Sequence, residues 1–67
     1  MAQVKIRGAM SIPDGEAVSV PVSLAAFGVP LAGERVSLRA GEEAVVDRDA
    51  AAEAIRRGLP VEIVGLA

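Results

Sequence analysis

Sixty-seven residues with a formal net charge of -2, no cysteine and no histidine describe one small domain, residues 1–67, without disulfides or a zinc-type centre. The seven basic residues are scattered and Phe27 is the sole aromatic, which argues against the basic, ring-studded surfaces that bind nucleic acids. The chain is nevertheless 52% hydrophobic, so a core this small is expected to be completed against other subunits.

In chain order, Ala2, Val4 and Ile6 alternate with Gln3, Lys5 and Arg7, the period of a half-buried strand that Gly8 ends. Residues 1–8 are read as an edge strand or an extended N-terminal arm. Pro13, Asp14 and Gly15 have the order of a tight turn, and the turn predicts a short hairpin between 9–12 and 16–19. Residues 16–24 alternate again, with Val18, Val20, Val22 and Leu24 on one side. Pro21 within that run cannot donate a ladder hydrogen bond, which assigns the strand to a sheet edge or a bulge. An irregular loop follows, carrying Phe27, Val29 and Leu31. Residues 17–33 hold no charge, but the run is too short and too interrupted by Pro21, Gly28 and Pro30 to predict a membrane helix. Asp14 and Glu16 ahead of it argue against a signal peptide.

Val36 and Leu38 alternate with Arg35, Ser37 and Arg39 in another strand, and residues 44–46 start a short return strand. A helix is predicted over about 48–57. Asp47 is placed to cap it, Asp49 suits its positive end, and Ala51, Ala54 and Ile55 form its apolar face. Glu53 and Arg57 stand at i, i+4, Gly58 suits a left-handed cap, and Pro60 blocks continuation. Residues 60–65 close the pattern as a strand, with Val61 and Ile63 expected to face inward. The predicted fold is therefore α+β and β-rich: a small antiparallel sheet or partly open barrel with one short helix.

The tripeptide Ala-Gly-Glu occurs at 32–34 and again at 40–42. A phosphate-cradling loop would need clustered glycines between a strand and a helix, usually with a lysine, and the one lysine is Lys5. Each copy instead precedes an extended segment, so the repeat reads as two turns of an antiparallel meander. Ser11, Ser19, Ser23 and Ser37 have no histidine or cysteine to work with. Lys5 reads as a solvated strand residue. Glu42 and Glu43 read as turn residues, and Asp47 and Asp49 as the helix start, lacking the tight alternating spacing of a calcium loop. No catalytic, cofactor or metal residue is expected. The residues singled out as a candidate interface are Val4 and Ile6 on the first strand, Met10 and Ile12 beside the first turn, Pro21 at the strand edge, and Phe27, Val29 and Leu31 on the loop.

Residues 35–65 resemble small proteins of tailed-phage morphogenesis clusters, in which an apolar strand leads through "AGE" to a short strand, an Ala-rich helix ending in glycine, and a final strand. The matching positions are Leu38, Ala40, Gly41, Glu42, Val45, Ala51, Ile55, Gly58 and Val61. They cover under half of the chain, and no catalytic residue is among them. The resemblance implies a non-enzymatic virion protein, a capsid decoration (cement) protein or a head-tail accessory. Its implied partner is the major capsid protein or another virion protein, on the capsid surface, in a homo-oligomer such as a trimer. Two other roles stay open from the residues: a small bacterial cytoplasmic adaptor or regulatory subunit, and an enzyme subunit that completes a site shared with another chain.

Overall fold

Central in the computed structural model, which describes residues 2–28 and 33–66, is the strand expected at an edge. β1 (Gln3–Gly8) pairs antiparallel on both sides, with β4 (Glu43–Asp47) and with β5 (Val61–Leu66). A second antiparallel pair joins β2 (Val18–Pro21) to β3 (Arg35–Leu38), and the sheets do not close into a barrel. Helix α1 (Arg48–Arg56) packs on the three-stranded sheet, and a 3-10 turn (Leu24–Gly28) lies beside it. The α+β, β-rich class is as predicted.

Alternation explains why β1 sits in the middle rather than forming an arm. Its apolar residues Val4 and Ile6 are buried, while its outer face carries Lys5 and Arg7. Arg7 lies opposite Glu43 on β4 and Glu62 on β5, so this cation is complemented from either side, whereas Lys5 lies opposite Val45 and Gly65. Gly8 completes the strand because the turn after β3 comes down on it. Its N–H donates to the Glu42 carbonyl at 2.8 Å, its carbonyl accepts from the Gly41 N–H at 2.9 Å, and the Arg39 carbonyl occupies the place a Cβ would take.

The core is aliphatic. Val4, Ile6, Val46 and Val61 from the three-stranded sheet meet Val20 and Leu38 from the β2–β3 pair, and Ala51 and Ala54 from the helix. Alanines on the buried helix face let it lie close to the sheet. That face centres on Ala50, Ala51 and Ala54, which leaves Ile55 at its rim, 45% exposed, instead of inside as expected. The helix ends as predicted. Gly58 takes φ +81°, its N–H donates to the Ile55 carbonyl, and the Leu59 N–H donates to the Ala54 carbonyl, the paired bonds of a Schellman motif. At the other end β4 runs straight into α1. Asp47 occupies the capping position in extended geometry, but its side chain makes no capping hydrogen bond.

Two other expectations change. Residues 9–17 form successive tight turns, not a hairpin. The Ile12 N–H bonds the Ala9 carbonyl and the Glu16 N–H the Pro13 carbonyl, while the Ala9 N–H is committed to Pro60. The two Ala-Gly-Glu segments do not flank a meander either. β3 pairs with β2 and β4 with β1, so the turn at 39–42 carries the chain from one sheet to the other. Among the described residues Pro21 does lie on a strand with one neighbour, as an edge assignment requires.

Candidate interface at the edge of β5

Most of the apolar residues singled out from the sequence are used inside the chain. Val4 and Ile6 are buried because β1 turns those side chains onto the core, and Ile12, in the turns at 9–17, and Pro21, on β2, are buried as well. Phe27 is half-buried against that core, with the Arg57 guanidinium 5.0 Å from its ring centroid. Met10 is 78% exposed, and its sulfur is the nearest neighbour to the open side of Gly41. Val29 and Leu31 lie outside the described residues. The six described positions among these eight are not gathered into one exposed surface.

What the chain does expose is β5. Ile63, Val64 and Leu66 are 44%, 38% and 83% exposed. Among the described residues β5 pairs only with β1, so its far edge carries no strand. Ile63 lies opposite Ile6, on the core face as the alternation predicts, but at the sheet rim it is only partly covered. An apolar edge strand with free backbone donors and acceptors is a template for another strand. The sequence signal was present in "VEIVGL", but inward alternation was the more obvious reading of it.

The strand is interrupted by a bulge. Opposition runs Gly8↔Val61, Arg7↔Glu62 and Ile6↔Ile63, then shifts to Lys5↔Gly65 and Val4↔Leu66. One additional β5 residue is inserted between Ile63 and Gly65. On the outer face the charges form a row. Arg7 donates from Nε and from a terminal nitrogen to one Glu62 oxygen, at 3.0 and 2.6 Å, and Lys5 Nζ lies 3.9 Å from Glu43. The hydrogen bond to Glu62, then its charge, raise the Arg7 pKa above the ordinary guanidinium value.

The remaining polar groups are placed by local structure. Glu42 accepts the Arg39 backbone N–H at 2.7 Å and closes the turn, and Glu53 bridges Arg56 and Arg57 at 3.1 and 3.2 Å. Asp47 and Asp49 line an open hollow of about 680 Å³ with Ala2, Ser23, Leu24, Ala25 and Arg48. Among the described residues no three acidic side chains converge as metal ligands, no polar side chain is buried, and no helix is long and apolar enough to cross a membrane. No family model matches the chain, and no curated protein or solved structure matches it.

Proposed function

We propose that this chain is a non-enzymatic structural protein of a phage particle that decorates the capsid and stabilises the head through apolar and strand-edge contacts. Two things support the reading. The resemblance of residues 35–65 supplies the virion setting. The exposed β5 edge, with Ile63, Val64 and Leu66 beside it, is the single observation that carries the mode of attachment. A decoration protein adds contact area between shell subunits and requires no chemistry of its own. β-Augmentation supplies main-chain hydrogen bonds and pockets for alternate side chains, the two ingredients of such an attachment.

In the proposed arrangement the partners are the major capsid protein and further copies of this chain. The test is reconstitution. Purified protein is added to heads assembled without it, and the heads are then heated or diluted into low salt. Retention of the protein on the heads and a raised disruption temperature are the expected results. Heads that neither bind the protein nor gain stability would overturn the reading. Capture of one soluble host protein in their place would favour a cytoplasmic adaptor.

A further inference from the structure

We infer that β5 pairs edge to edge and antiparallel with β5 of a second copy of this chain, in a register set by its bulge. The inference rests on the reading of β5 as an attachment edge and deepens it by naming a second copy as the strand on that edge, which leaves contact with the capsid to the exposed apolar side chains.

Opposed residues in an antiparallel pair share a face. β1 therefore assigns the faces of β5. Glu62, opposite Arg7, and Gly65, opposite Lys5, are on the outer face, while Val61, opposite Gly8, and Leu66, opposite Val4, are on the core face. Glu62 and Gly65 are three positions apart, and they share a face only because the bulge inserts one residue between them. That phase change restricts self-pairing. Among antiparallel registers that engage all six residues, the faces assigned by β1 match only when Val61 lies opposite Leu66 of the second copy and Glu62 opposite Gly65, with Ile63 and the inserted Val64 at the two-fold axis. A two-fold contact of this kind is self-complementary and closed.

Charge selects the same register. An in-register parallel pair, or an antiparallel one centred on Glu62, places Glu62 against itself. In the bulge-matched register Glu62 faces Gly65, which has no side chain, and the next strand beyond that glycine presents Lys5. Strands sit about 4.8 Å apart, so the Glu62 and Lys5 backbones are about 10 Å apart across the bare glycine. A glutamate and a lysine side chain span that distance. The alternation Glu43, Arg7, Glu62 then continues into a cation of the second copy, twice by symmetry. Lys5 is available for this because its contact with Glu43, at 3.9 Å, is long.

The chain contains no cysteine, so disulfide trapping reads the register directly. Glu62→Cys and Gly65→Cys chains are mixed and oxidised at high concentration. The expected product is the mixed dimer, since like residues stand about 10 Å apart and exceed the disulfide limit of about 7 Å. Sedimentation equilibrium of the unmodified chain should give a dimer. Glu62→Lys should loosen it about tenfold, because two exposed attractions become repulsions. Lys5→Glu combined with Glu62→Lys should restore it, with circular dichroism checking that each variant is folded. A monomer at all concentrations, a trimer with β5 free, homotypic Glu62→Cys crosslinks, or a dimer indifferent to Glu62→Lys would each overturn the inference. The head-binding assay separates the two ideas. A monomer that still binds heads leaves the decoration role standing without this contact, and a dimer that ignores heads does the reverse.

Discussion

Arg7 and Glu62 are joined by two hydrogen bonds to a single carboxylate oxygen, linking the central strand to β5 across 55 positions of sequence. The pair is exposed, so salt screens it. Arg7→Gln should lower the melting temperature at low ionic strength, with the two proteins converging near 1 M salt. Because the folded Arg7 pKa is raised, its contribution is fully present below the ordinary guanidinium range and is lost only as strong base carries pH through the folded value. The difference between the two proteins that arises from Arg7 ionisation should therefore stay flat from neutral to mildly alkaline pH, which melts at several pH values will check.

Gly8 and Gly15 should respond differently to alanine. A Cβ at Gly8 overlaps the Arg39 carbonyl, so backbone must move, at a cost of about 2 kcal/mol or more. Gly15 has open space around it, and only its φ of +83° opposes the change, for about 1 kcal/mol. Urea denaturation of the two variants should preserve that order.

Ile6 is fully buried at the middle of β1, where β4, β5 and the helix converge. Ile6→Ala should cost about 2–5 kcal/mol, a large part of the stability of a domain this size. The expected observation is a protein largely unfolded at 37 °C by circular dichroism.

Phe27 and Arg57 connect the 3-10 turn to the end of the helix. A double-mutant cycle with Phe27→Leu and Arg57→Gln should give a coupling of about 0.5–1 kcal/mol, read from denaturant midpoints. Coupling indistinguishable from zero would show that the ring is held by the core alone.

Local elements were legible because their signals are local. The alternation of Val4 and Ile6, the glycine at 58 and the alanines of the helix each report a nearby backbone geometry. Strand order was not legible from the same signals. It depends on Glu43 and Glu62 meeting Arg7 from opposite sides, and on the Ala9 N–H being taken by Pro60, which removes residues 9–12 from a hairpin that their own turn residues favour. The candidate interface shifted for a related reason. Apolar alternation marks which residues share a face, but not whether that face lies mid-sheet, as for Val4 and Ile6, or at a rim, as for Ile63 and Leu66.

Placing the first strand between β4 and β5 also dictates how the molecule is made. Residues 3–8 have no complete set of neighbours until residues 61–66 are available, so the sheet forms by closing nearly the whole length of the polypeptide rather than by zipping adjacent hairpins. Such distant pairing makes folding slower than in a helical bundle of the same size. During that interval the apolar side of β1 is exposed, and nascent or refolding chains are most open to capture by one another before the last strand docks.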